Sequence, residues 1–144
     1  VQIFEDEKLL FESLRDTKHL QGKTTKEEMK FVKERLQFAK KWINEFADEQ
    51  FKFTLQKEIP KNLGLNEKQK QALHILAEKL TNQKWNEKTL FNEFYGICKK
   101  LDLKNTEFFS AAYKVLLNKE KGPRLASFIL AIGKEKAAEL FKKV

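Results

Sequence analysis

Three cations, Lys119, Lys121 and Arg124, flank a Gly-Pro step in the run Asn118-Lys119-Glu120-Lys121-Gly122-Pro123-Arg124. The run reads as a tight loop opening a helix, where backbone donors and the positive end of the helix dipole would both face an anion. Arg124 in that first turn works against the dipole unless something negative offsets it. A guanidinium pairs bidentately with phosphate or a base edge and stacks on base faces, so a nucleotide is one fitting partner. A carboxylate such as Glu120, in an ordinary surface turn, is the other. Upstream, Phe108, Phe109 and Tyr113 place aromatic rings beside the cations. That mixture suits unstacked bases, each stack contributing about 1–3 kcal/mol. Helical spacing assigns most of these rings to a core and leaves Tyr113 as the base-facing candidate.

Catalytic chemistry finds no comparable set. It needs a poised base, nucleophile or metal, whereas His74 lies in a helical apolar stripe and Cys98 follows Ile97 on an apolar side. Both read as packing residues. One cysteine with His19 and His74 far apart closes no tetrahedral zinc site, so no metal-binding residue is expected. Neither type of glycine-rich phosphate loop occurs, so no catalytic or cofactor-binding residue is expected and the isolated chain should not bind ATP.

The elements that must position the loop are bounded first by size. The 144 residues predict a single domain, 1–144, able to bury a core without disulfides, and thirteen Phe with two Trp exclude a disordered tail. No apolar run approaches the ~20 residues of a membrane span, and the N-terminus lacks signal-peptide order, which predicts a cytoplasmic protein with no membrane partner. A first residue Val1 instead of Met suggests a piece of a longer chain. The net charge of +8 is uneven: residues 1–50 carry 10 basic and 11 acidic side chains, residues 51–144 carry 19 and 10. A polyanion-binding surface needs such asymmetry, although 26 of the 29 basic residues are Lys, which also serves plain solubility.

Apolar residues recur at three and four, and the fold class is all-α: a compact bundle of about seven helices with one short extended connector, 51–64. A first helix spans 2–16, with Ile3, Leu10 and Leu14 on one side, Phe4 and Phe11 on its flank, and an end near Gly22. Thr24 or Thr25 caps a second, with Glu27 and Glu28 in capping-box spacing and an apolar stripe of Val32, Leu36, Ala39, Trp42, Ile43 and Phe46. Phe51, Phe53 and Leu55 alternate with polar residues before Pro60 and Gly64, which marks the connector. Asn66 with Gln69, then Asn86, then Asn105 open three further helices about 20 residues apart, the middle one carrying Leu90, Phe91, Phe94, Ile97 and Cys98. Pro123 fits a first helical turn, Gly133 a helix end, and Ala137, Leu140 and Phe141 a last short helix. Trp42 and Trp85 read as packing residues.

The run Tyr113-Lys114-Val115-Leu116-Leu117-Asn118-Lys119-Glu120-Lys121-Gly122-Pro123-Arg124-Leu125, followed by Ser127-Phe128-Ile129 and Ile132-Gly133-Lys134-Glu135, resembles the C-terminal end of class I lysyl-tRNA synthetases. Arg35 through Phe46, Phe51-Lys52-Phe53 and Trp85 to Tyr95 agree with the same family, so the resemblance covers roughly residues 32–143. The architecture is also similar to that of glutamyl-tRNA synthetases. The resemblance implies an α-helical anticodon-binding region of an enzyme that attaches lysine to tRNA using ATP, with the catalytic domain elsewhere in the parent chain. The signatures His-Ile-Gly-His and Lys-Met-Ser-Lys-Ser do not occur, so no catalytic or ATP-binding assignment carries over. Asn118 stands where that family commonly has Gly, and a left-handed Asn lets the turn survive. Lys121 stands where it commonly has Arg, which removes planar bidentate pairing there.

The expected partner is therefore the anticodon stem-loop of a tRNA, met by the basic stretch from Asn105 to Lys143. Lys114, Lys119 and Lys121 hold phosphates in this reading, while Arg124 and Tyr113 contact splayed bases. The alternative is a helical protein–protein docking module whose lysines only solvate it.

Overall fold

The computed structural model describes Gln2 and residues 10–11, 14–15, 24–49, 52–60 and 62–144. The chain divides into two compact units, Val1–Thr54 and Leu55–Val144. All regular structure among the described residues is helical, as expected, with six helices whose bounds are fully described. Of the first expected helix, residues 10, 11, 14 and 15 are helical, with Leu10 and Phe11 buried. Ile3, Phe4 and the stop near Gly22 lie outside the described residues, as does His19.

In the first unit, α1 runs Lys26–Phe46. The Thr25 side chain accepts from the Glu28 N–H, and the Glu28 carboxylate accepts from the Thr25 N–H at 2.8 Å, a closed capping box that satisfies two otherwise orphaned donors. Leu36 is buried, with Val32, Ala39 and Ile43 half-buried beside it. Trp42 and Phe46, expected in that stripe, are not part of it. They lie with Phe31 and Phe38 on another face and are 57–71% exposed. At about 100° per residue the two sets stand roughly a quarter of a turn apart, so one apolar pattern contains two faces.

The connector is as expected: residues 52–60 and 62–66 form neither helix nor strand, Phe51 and Lys61 lying outside the described residues. Its Gln56 N–H donates to the Leu116 carbonyl at 2.8 Å.

The second unit holds α2 (Glu67–Asn82), α3 (Glu87–Leu101), α4 (Asn105–Leu117), α5 (Leu125–Ile132) and α6 (Lys134–Phe141). Asn66 with Gln69 and Asn86 with Thr89 close capping boxes at the starts of α2 and α3. Asn105 is not a cap. Asp102 ends α3 in the left-handed region, φ 48°, and the chain re-enters a helix quickly enough that Lys104 takes the cap position without a side-chain bond. Pro123 likewise stands before the cap of α5, which is Arg124, rather than inside the helix. α2 is central, packed most extensively against α6 and also against α4 and α3. Leu73, Leu76 and Leu80 of α2 meet Phe94, Phe108, Leu116, Ile129 and Phe141 in a core closed to solvent, each such side chain contributing about 1.5–3 kcal/mol. Cys98 is buried there, and desolvation raises its thiol above the ordinary range, so it stays an inert thiol. His74 is exposed, not packed: its Nε2 lies 2.8 Å from the Val144 carbonyl oxygen. Trp85 is half-buried and its indole N–H donates to the Lys79 carbonyl at 3.0 Å.

Candidate nucleic-acid interface

The loop between α4 and α5 is fastened to α4 at three points. Asn118 ends the helix with φ 53°, a left-handed turn that Asn tolerates, and its N–H donates to the Lys114 carbonyl at 3.0 Å. Glu120 then folds back. Its carboxylate accepts from the Ser110 hydroxyl at 2.6 Å and pairs with the Lys114 ammonium at 3.0 Å, two residues four apart on one face of α4. Those two partners hold the Glu120 carboxyl below its ordinary range. Finally the Tyr113 hydroxyl donates to the Pro123 carbonyl, directly before Arg124.

Gly122 is what permits that closeness. A Cβ there would stand 2.7 Å from Tyr113 Cδ1 and 2.8 Å from Leu117 Cδ1, so any side chain would push the loop off the ring beneath it. Burial raises the Tyr113 hydroxyl above its ordinary range, which keeps it a donor.

Arg124 caps α5 with its carbonyl, which accepts from the Phe128 N–H at 2.9 Å. Its side chain is exposed and lines a groove of about 710 Å³ with Glu87, Lys88, Phe91, Phe109, Tyr113, Leu125 and Ala126. That size lies within the range of small-ligand sites and admits a planar base. Among the described residues no carboxylate pairs with the Arg124 guanidinium: Glu120 is committed to Ser110 and Lys114, and Glu87 lines the same groove without an ion pair to it.

Tyr113 and Arg124 thus share one groove. Tyr113 is almost wholly buried and spends its hydroxyl on the loop, so only part of its ring borders the groove. Lys114 is half-buried beneath Glu120; Lys119, half-buried, and Lys121, exposed, ride on the loop outside the groove lining. Lys88 and Phe91 of α3 also line the groove, and neither was singled out as a site residue from sequence. Phe91, expected in the core stripe, is exposed, and so is Tyr95 one turn later. The signal was present: both lie about 100–140° around the helix from Leu90, a core residue.

The charge asymmetry follows the two units. Residues 1–54 hold 11 basic and 11 acidic side chains, whereas residues 55–144 hold 18 and 10, so the whole +8 belongs to the unit that carries the groove. Among the described residues no cluster of His, Cys, Asp or Glu could hold a metal ion, and no helix is long and apolar enough to cross a membrane.

A known protein family, described as an anticodon binding domain, matches residues 10–139. Among curated proteins, the lysine–tRNA ligase of Pyrococcus horikoshii is 30% identical over 115 residues, covering 79% of this chain and 22% of the relative. That of Borreliella burgdorferi is 36% identical over 104 residues, 71% of this chain and 20% of the relative. That of Thermococcus kodakarensis is 28% identical over 131 residues, 90% and 25% respectively. The chain therefore spans about a fifth to a quarter of the length of these curated relatives.

Proposed function

The chain belongs to the family of anticodon-binding domains, and from that premise we propose that it is the part of a cytoplasmic class I lysine–tRNA ligase that grips the anticodon stem-loop. A catalytic part outside these residues would attach lysine to the tRNA with ATP. The observation that carries this reading is Arg124: an exposed guanidinium without a carboxylate partner among the described residues, beside aromatic rings, on the unit that holds all the net positive charge. Lysine as the amino acid is supported by the relatives that bear that name. Lys119 and Lys121 would neutralise phosphates, which fix position, Lys114 being committed to Glu120 and holding the loop, while Arg124 and the ring edge of Tyr113 would meet bases, which carry sequence.

Titration of the chain with a lysine-tRNA anticodon stem-loop and with a scrambled loop, across a salt series, tests this. Cognate preference and a log–log salt slope of about −0.7 per neutralised phosphate are expected. Arg124→Ala should weaken the cognate loop on the order of 5- to 100-fold and the scrambled loop far less, whereas Lys119→Ala should weaken both alike. Steep but indiscriminate binding would reduce the site to a basic surface. Absence of binding would overturn this reading.

A further inference from the structure

The large apolar side chains of the second unit are buried or half-buried apart from two among the described residues, Phe91 at 45% and Tyr95 at 41% exposure. They are one turn apart on α3 and touch edge to face, with ring centroids 5.0 Å apart at 70°. Behind them the contacts run inward without a break. Tyr95 stands 6.4 Å from Phe109, and Phe109 stands 5.9 Å from Phe94 and 5.6 Å from Phe108, both of which are fully buried. The outer rings are thus held in place by the core before anything binds. Phe91 and Phe109 also line the groove that Arg124 borders, and Lys88 stands one turn before Phe91 on α3.

Resting on the anticodon-binding reading above, we propose that Phe91 and Tyr95 form a stacking platform for an unstacked base of the RNA loop, next to the position read by Arg124. Fixed aromatic faces beside cations meet the two demands of single-stranded RNA: a π-surface for the base and positive charge for the backbone that leads to it. Such a platform contacts the face of a base and not its edge, so it accepts any base and contributes affinity without sequence preference. Arg124 and the platform therefore divide the work between selection and grip.

The experiment is titration of the 144-residue chain with a lysine-tRNA anticodon stem-loop carrying 2-aminopurine at one loop position at a time. Binding should change the fluorescence at one position through stacking. Tyr95→Leu and Phe91→Leu, which keep apolar bulk and lose the ring, should weaken binding on the order of 5- to 100-fold and abolish that change. Tyr95→Phe should preserve both, which a role for the phenol hydroxyl would not. The loss in Tyr95→Leu should be equal for cognate and scrambled loops, in contrast to Arg124→Ala. Wild-type affinity and fluorescence in both leucine variants would overturn the platform and leave the anticodon reading standing. A wild-type chain that binds no stem-loop would overturn the anticodon reading and the platform with it.

Discussion

The helix α1 and the pair α3 and α4 are comparably rich in aromatic residues and use them in opposite ways. On α1, Phe31, Phe38, Trp42 and Phe46 lie along one exposed face, in a unit whose charges cancel. On α3 and α4, Phe94 and Phe108 are sealed in the core, Phe109 is half-buried, and Phe91 and Tyr95 are exposed, in a unit with eight excess positive charges. What separates the two regions is the angle of the rings around each helix relative to the residues that meet a neighbouring helix. Aromatic content as such decides neither stability nor binding. On α3 the exposed rings stand on a helix that Leu90, Phe94 and Ile97 anchor in the core, whereas on α1 Leu36 alone is buried.

The sharpest way to break this contrast is to remove an anchor. Phe94→Ala should lower the stability of the second unit by about 3–5 kcal/mol, from lost transfer energy and the cavity left behind, and denaturant titration would measure it. A loss below about 1 kcal/mol would mean that the ring chain has no rigid base. A subtler change addresses the loop. Because the folded state depresses the Glu120 carboxyl, the bonds to Ser110 and Lys114 are fully present above its unfolded value and disappear as pH falls through the folded one. The Gly122 amide resonance should therefore shift with pH below the ordinary carboxylate range in the wild-type chain. In Glu120→Gln it should be flat over that range and already displaced at neutral pH. The smallest effect belongs to α1: Trp42→Ala should change denaturant stability by no more than about 0.5 kcal/mol, as exposed sites do. A loss above about 1 kcal/mol would place that face in contact and erase the contrast.

Much of the helical framework was legible because it is written locally. Thr25 with Glu28, Asn66 with Gln69, and Asn86 before Leu90 are caps whose chemistry needs only four consecutive residues. Asn105 misled because a cap depends on how the preceding helix ends, and Asp102 in the left-handed region shifted the start by one residue. The face of α1 was not legible either, since periodicity reports that apolar faces exist and not which one meets a neighbour. Of the groove, Tyr113 and Arg124 could be paired from their short separation. Lys88 and Phe91 come from a helix more than thirty residues earlier and share the groove with Arg124 only after packing. That Glu120 does not pair with Arg124 could not be read from the sequence, because Ser110 and Lys114 take that carboxylate only once the loop folds back on α4.

The close packing of α6 along α2 also sets a schedule for the chain. The first helix of the second unit finds its most extensive partner in the last one, residues 67–82 against residues 134–141. At about 5–20 residues per second, several seconds of synthesis separate Asn66 from Phe141. During that interval α2 presents Leu73, Leu76 and Leu80 without the helix that covers them most fully, and the unit closes only once its final turn has left the ribosome.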